Sequence, residues 1–248
     1  MLDPMDLSGK HIIITGASSG IGRATAIRVS QLGAKVSLIA RREDKLIETR
    51  DRLEGKGHCT YSFDLTEIEK TEELVREIVQ NSGPLDGVVY CAGKGLNRPL
   101  AMTKPSFFQE MMAINFLSFA EFLRLAMKKK ISRDGASLVG ISSVAAQKGD
   151  RAQGAYAASK AAMDGLLHSA AKEAAPRKIR VNTVAFGMIH TEMYQIFQES
   201  GNIEELLHNQ YLGLGDPADA ANIIAFLLSG ASRLITGTTL VADNGYLS

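Results

Sequence analysis

Thr15-Gly16-Ala17-Ser18-Ser19-Gly20-Ile21-Gly22 is the stretch on which the fold of this 248-residue chain turns. It follows a short apolar run at 11–15 and opens a helical stretch at 21–32. Glycines there let the backbone turn tightly, approach a pyrophosphate closely, and pack the helix against the strand. The helix N-terminus then offers free N–H groups and a partial positive charge to phosphates. A purely structural strand–helix turn also uses glycines, so the motif gains meaning from its context, an apolar strand before it and a helix after it.

Outward from this turn, apolar runs recur at 35–40, 59–63, 87–91, 136–141, 179–184 and 238–242. Most are rich in Val and Ile without strict alternation, which suits strands buried on both faces. Helical stretches lie between them at 43–54, 67–80, 106–130, 155–174 and 217–228. This alternation predicts an α/β fold, a single-domain, Rossmann-type doubly wound parallel sheet of about seven strands with helices on both faces. No linker or composition shift divides residues 1–248. The rhythm breaks only between Val184 and Gly213, where Gly201-Asn202 interrupts a poorly capped helical stretch. A segment of that length, about 185–213, is either a substrate lid or plain loop-and-helix packing.

Composition narrows the functional classes. A formal net charge of +1 gives no electrostatic footprint for nucleic acid or a membrane surface. Cys59 and Cys91 sit far apart without metal spacing, as do the lone His190 and His208, so neither a disulfide framework nor a metal is expected. The first eight residues carry Asp3 and Asp6 and no apolar stretch, so no leader is expected. No run reaches the roughly 18–20 apolar residues that span a bilayer, and a cytoplasmic location is the expectation.

The end of the second predicted strand distinguishes NAD from NADP. An acid there accepts hydrogen bonds from the adenosine ribose, whereas a base pairs with a 2′-phosphate. The chain reads Leu38-Ile39-Ala40-Arg41-Arg42, with no acid before Glu43. A charge-assisted bond to a phosphate contributes about 1.5–3 kcal/mol, so NADP(H) is favoured over NAD(H). Arg41 is the expected contact, with Ser18 or Arg42 helping; the alternative is that both arginines simply start a solvated helix. Asp64, just past the third predicted strand, is placed to accept from an adenine amino group or to cap the helix that follows.

The chemistry-bearing residues lie further along. In Ala155-Tyr156-Ala157-Ala158-Ser159-Lys160, Tyr156 and Lys160 stand at i and i+4 on one helix face. A phenol titrates near 10, and a neighbouring ammonium favours its phenolate. Such a pair is ordinary on helices when it stands alone. Thirteen residues before Tyr156, a predicted strand ends in Ile141-Ser142-Ser143, where a hydroxyl can donate to a substrate carbonyl. Asn115 falls mid-helix in an apolar setting, where a buried amide needs partners and can kink the helix or hold a water.

Together with Asp64, Ala92-Gly93 and the closing Thr236-Gly237, these motifs resemble the one-domain branch of the short-chain dehydrogenase/reductases, and in general likeness its 3-oxoacyl-acyl-carrier-protein reductases. The resemblance extends from about Leu7 to Leu247. It implies that Tyr156 is general acid for carbonyl reduction or base for alcohol oxidation, and that Lys160 binds the nicotinamide ribose and lowers the tyrosine pKa. Ser143 would orient the carbonyl and Asn115 would hold a water in a proton relay. Gly16, Ser18, Ser19, Gly20, Ile21, Gly22, Arg41, Arg42, Asp64, Leu65, Ala92, Gly93, Gly187, Ile189 and Thr191 would contact the cofactor. Three departures from the family pattern stand out: Tyr90-Cys91 before Ala92-Gly93, Phe186 before Gly187, and Asp243-Asn244-Gly245 near the end.

Substrate and assembly follow only loosely. Lys128-Lys129-Lys130, Arg133 and Arg177 would suit an acidic acyl carrier protein, or merely complement helix dipoles. Phe186, Tyr194, Phe197 and Tyr211 would line an apolar pocket or pack the 185–213 segment. The resemblance implies a homotetramer or homodimer formed through the helices at 106–130 and 155–174, and the apolar Phe107, Phe108, Met111, Met112, Phe119 and Phe122 exceed one core stripe. The first functional expectation is an NADP(H)-dependent carbonyl reductase acting on a small molecule. The alternatives are an NAD-dependent alcohol dehydrogenase for a sugar, steroid or polyol, and a non-catalytic nucleotide-sensing scaffold.

Overall fold

A computed structural model describes residues 3–199 and 207–248; Gly201-Asn202 lies outside the described residues. The sheet has seven strands: β1 (His11–Thr15), β2 (Lys35–Ala40), β3 (Cys59–Ser62), β4 (Leu85–Tyr90), β5 (Ser132–Ser143), β6 (Arg180–Phe186) and β7 (Thr239–Ala242). They pair in parallel throughout, in the order β3-β2-β1-β4-β5-β6-β7. Order reverses between β1 and β4, and in such sheets ligands bind outside the carboxyl ends of the strands at that point.

The lack of alternation in the strands has its expected cause. Successive side chains leave a strand on opposite faces, and both faces are covered here. Ile13, Val88, Leu138 and Val181 pack into one apolar cluster beneath α3 (Thr71–Ser82), α5 (Ser118–Ala126) and α7 (Gly154–Ala174). Ile12, Ile14, Val36, Val139 and Val184 pack into a second beneath α1 (Gly20–Gln31), α2 (Glu43–Arg50) and α9 (Pro217–Leu228). Two short helices, α6 (Ala145–Lys148) and α8 (Glu192–Glu199), follow β5 and β6 at the carboxyl edge.

The helix expected at 67–80 starts only at Thr71, after a 3₁₀ turn at Ile68–Lys70. Three further boundaries depart from the sequence expectation for local reasons. Strand β5 starts at Ser132 because its ladder with β4 slips between Leu85 and Gly87, and Gly135 with φ +82° absorbs the excess chain. Helix α2 ends at Arg50, where Arg52 and Leu53 bond to the carbonyls of Thr49 and Arg50 and tighten the coil ahead of Gly55. The predicted helix at 106–130 divides into α4 (Pro105–Met112), a π-helical turn (Ala113–Leu117) and α5. Asn115 lies inside that turn, the place where a kink was expected.

Tyr90 buttresses the π turn from the sheet. Its ring is buried against Phe119 and Phe122, and its hydroxyl donates to the Ile114 carbonyl at 2.6 Å. Removing that hydroxyl costs the π turn a hydrogen bond at a partly buried carbonyl, about 1 kcal/mol. Tyr90→Phe is therefore expected to destabilise the fold by about 1 kcal/mol in urea unfolding. An unchanged midpoint would show that the turn does not depend on this bond.

Candidate active site

The carboxyl edge carries a cleft of about 630 Å³. Every residue assigned above to cofactor contact lines it, together with Ser143, Tyr156 and Lys160. Asn115 alone does not; it stands behind the wall.

At the β1–α1 turn the glycines are required by contact. A Cβ on Gly16, whose φ is +65°, would lie 2.9 Å from the Ala92 backbone nitrogen, and one on Gly22 would lie 2.3 Å from the Gly16 carbonyl oxygen. Gly20, at φ +52°, faces the Thr191 methyl group. The turn thus brings bare backbone and the α1 N-terminus to the cleft, the arrangement a dinucleotide pyrophosphate needs.

The two arginines after β2 behave differently. Arg41 is exposed, with its guanidinium 3.9 Å from Asp64. Arg42 folds back onto the turn, its Nη2 donating to Ser18 Oγ at 3.2 Å and Ser19 Oγ at 3.0 Å. Asp64 accepts from the Thr66 amide and hydroxyl, bonds that, with Arg41, hold its carboxyl below the usual range. These bonds close a turn ahead of the next helix and do not cap it: the 3₁₀ turn at Ile68–Lys70 and α3 both start without a side-chain cap. The capping role expected of Asp64 is therefore not met, while Asp64 still lines the cleft. Thr191 caps α8, its Oγ1 accepting from the Tyr194 amide at 3.3 Å.

The other end of the cleft is built around Lys160. Its ammonium is buried and donates to the Ile141 carbonyl at 2.6 Å, and Nζ lies 5.8 Å from the centre of the Tyr156 ring. Burial pulls its pKa down to about 8, with Asp164 and Cys91 pulling the other way. Burial also raises the Tyr156 phenol above its ordinary value, with the Ser143 hydroxyl opposing. Burial thus favours the neutral phenol at Tyr156, in contrast to the phenolate that a neighbouring cation alone would favour. Asn115 spends its amide on structure: Oδ1 accepts from the Lys94 amide at 2.9 Å, and Nδ2 donates to the Lys94 carbonyl at 3.0 Å and Ser159 Oγ at 2.9 Å.

A family model described as enoyl-(acyl carrier protein) reductase matches residues 16–247. The chain is 34% identical to a 3-oxoacyl-acyl-carrier-protein reductase of Thermotoga maritima, over 97% of this chain and 99% of that one. It is 33% identical to carbonyl reductase family member 4 of Danio rerio, over 94% and 96% of the two chains. A solved structure of a putative short-chain alcohol dehydrogenase from Sinorhizobium meliloti superposes with a TM-score of 0.92 at 29% identity, covering 99% of each chain. The chain belongs to the short-chain dehydrogenase/reductase family. It is an oxidoreductase of a family that uses NAD(P), acts on small molecules and typically forms oligomers. No helix among the described residues is long and apolar enough to cross a membrane.

Two of the departures from the short-chain dehydrogenase/reductase pattern now have a place. Tyr90 turns away from the cleft to hold the π turn, whereas Cys91 lines the cleft with its thiol pushed up to about 12 by burial. Phe186 is buried at the end of β6 and also forms part of the wall. Three further side chains escaped sequence reasoning. Asp164 stands one turn beyond Lys160 and accepts from Ser142 Oγ and Thr183 Oγ1, both at 2.8 Å; the i, i+4, i+8 spacing from Tyr156 was the available signal. Glu192 lines the cleft opposite Arg42, and Gln210 clamps the backbone of Met188 and Gly213 beside Gly187, where a Cβ would meet Gln210 at 2.5 Å. Nothing in the sequence marked either.

Gly93 joins the two halves of this end. A Cβ there would sit 3.1 Å from Asn115 Oδ1 and 3.4 Å from Lys160 Nζ. Gly93→Ala is expected to lower kcat by about tenfold, since small displacements of positioned groups are costly, with melting shifted by only a few degrees. Paired kinetics and thermal melts check this; unchanged kcat would show that Lys160 tolerates the displacement.

Proposed function

We propose that this enzyme is an NADP(H)-dependent carbonyl reductase with Tyr156 Oη as the proton donor, and that its substrate is a small ketone or a 3-oxoacyl thioester. The observation that carries this reading is the buried, neutral Tyr156 phenol beside Ser143 and the buried Lys160 ammonium. The glycine turn and the α1 N-terminus would hold a nicotinamide dinucleotide in the cleft, which in its reduced form would supply the hydride. Ser143 Oγ donates to the carbonyl oxygen and orients it, and Tyr156 Oη gives that oxygen its proton. Lys160 would hold the nicotinamide ribose, and its charge stabilises the phenolate left behind. Asn115 holds the Lys94 backbone and with it the wall that carries Gly93.

At the adenosine end, Ser18, Ser19 and Arg42 form the cationic corner for a 2′-phosphate, with Arg41 at its outer edge. The names of the relatives support the carbonyl class. An apolar group of Tyr194, Phe197, Met188 and Met193 beside the cleft suits an acyl chain or another apolar substituent, and supports reading the described parts of 185–213 as a substrate lid. Of the basic residues singled out above for an acyl carrier protein, Lys128 is engaged by Glu72, Arg133 by Asp86 and Arg177 by Asp134, while Lys129 and Lys130 are exposed. Lys128, Lys129, Lys130 and Arg133 flank the start of β5 at Ser132, on the edge opposite the cleft, which speaks against their forming a rim for a carrier there.

Following NADPH oxidation with a panel of ketones, 3-oxoacyl thioesters and enoyl thioesters tests the assignment. Turnover confined to enoyl thioesters would sink the carbonyl reading, and tighter binding of NADH than NADPH would sink the cofactor reading. Tyr156→Phe is expected to lower kcat by at least about a hundredfold; retained turnover would remove Tyr156 as proton donor.

A pH profile gives an independent check. Lys160 is charged below its pKa of about 8, and Tyr156, raised above its ordinary value, keeps its proton through the same window. Reductive kcat/KM is therefore expected to be level below pH 8 and to fall as pH rises through it. A rate that rises across that window would contradict a catalytic ammonium.

A further inference from the structure

Glu192, the first residue of α8, reaches across the cleft to the phosphate-binding turn. Arg42 donates to it through both terminal nitrogens, Nη2 to Oε2 at 3.0 Å and Nη1 to Oε1 at 3.3 Å. Ser19 Oγ donates to the same Oε2 at 3.1 Å. The Arg42 Nη2 that holds Glu192 also holds Ser18 Oγ and Ser19 Oγ. A carboxylate of the chain itself thus takes up the Arg42 guanidinium and the Ser19 hydroxyl, with Ser18 Oγ held by the same guanidinium, donors that suit a phosphate equally well.

We propose that Glu192 is a cofactor-discriminating residue: its carboxylate occupies the 2′-phosphate subsite of Ser18, Ser19 and Arg42, and NADP(H) binds by displacing it. The proposal rests on the NADP(H) reading of the cleft. Arg42 cannot present its two terminal nitrogens to Glu192 and to a phosphate at once, so binding breaks the bridge between α2 and α8. Both partners are about half exposed, and exposed ion pairs of this kind are weak, so the bridge yields to a doubly charged group. A cofactor without the 2′-phosphate leaves the bridge in place. Glu192 therefore penalises NADPH and leaves NADH nearly untouched, and Arg42 supplies the compensating attraction.

Calorimetric titration of wild type, Glu192→Gln, Glu192→Asp, Arg42→Gln and the Glu192→Gln/Arg42→Gln double variant tests this. The ligands are NADPH, NADH, adenosine 2′,5′-bisphosphate and 5′-AMP. Glu192→Gln, and Glu192→Asp with its shorter reach, are expected to tighten NADPH and the bisphosphate about fivefold, the weight of one exposed ion pair. NADH and 5′-AMP are expected to change less than twofold, and in the Arg42→Gln background the gain is expected to vanish. Unchanged bisphosphate binding, an equal gain for 5′-AMP, or a gain that survives Arg42→Gln would each overturn the proposal. The NADP(H) reading fails separately, by wild type binding NADH more tightly than NADPH, and the bisphosphate arm reads the Glu192 effect even then.

Discussion

The buried ammonium of Lys160 is the constraint around which the cleft is arranged. A charge removed from water needs compensation, and here the compensation is a backbone carbonyl, Ile141, at the end of a central strand. Among the described residues no carboxylate pairs with it; Asp164 acts from one turn away and is itself held by Ser142 and Thr183. The ammonium is therefore stabilised enough to stay ordered but remains short of a full counter-charge, which is why its pKa falls to about 8. A group in that state responds strongly to whatever enters beside it.

Meeting that constraint recruits elements far apart in the chain. Tyr156, Lys160 and Asp164 stack along one face of α7, so the helix must lie flat against the ends of β5 and β6. Thr183 passes the contact on to Thr239 of β7 at 2.8 Å. On the other side, Gly93 must lack a side chain because Asn115 and Lys160 fill the space. Asn115 reaches that position only because the helix widens into a π turn, which Tyr90 secures from β4. The tyrosine that departs from the family's sequence pattern thus packs from behind the cleft, against Phe119 and Phe122.

Legibility in the sequence follows the range of the interaction. The inner strands and their parallel class were visible because burial on both faces writes itself as apolar runs without strict alternation, whereas the edge strands β3 and β7 are only partly buried and were legible mainly from their place in the strand–helix alternation. The glycine turn was visible because the backbone contact of Gly16 with Ala92 admits no other residue. The slip of β5 at Gly135 and the early end of α2 were not, since both depend on how a neighbouring segment packs. In the cleft, Tyr156, Lys160 and Ser143 could be read because a helix period and a strand end fix their directions. The division of labour between Arg41 and Arg42 could not, because adjacent residues differ only in which neighbours fold back toward them. Glu192 stands next to a residue that was singled out, Thr191, yet its partner lies 150 residues away and carries no trace in the local pattern.

The charges of the cleft are balanced from within the chain. Arg41 faces Asp64, Arg42 faces Glu192, and Lys160 faces the Ile141 carbonyl with Asp164 behind. These internal partners differ in how firmly they hold. The Arg41 and Arg42 pairs are exposed and screened, worth little each, and open to exchange for an anion of higher charge. The Lys160 contacts are buried and cannot be exchanged without leaving a carbonyl or an ammonium unpaired. An anionic ligand therefore gains at the Arg41 and Arg42 end by substitution and meets a fixed frame at the Lys160 end. Affinity for such a ligand is set by the difference between new and displaced ion pairs at one end, while the buried contacts of Lys160 at the other stay as they are.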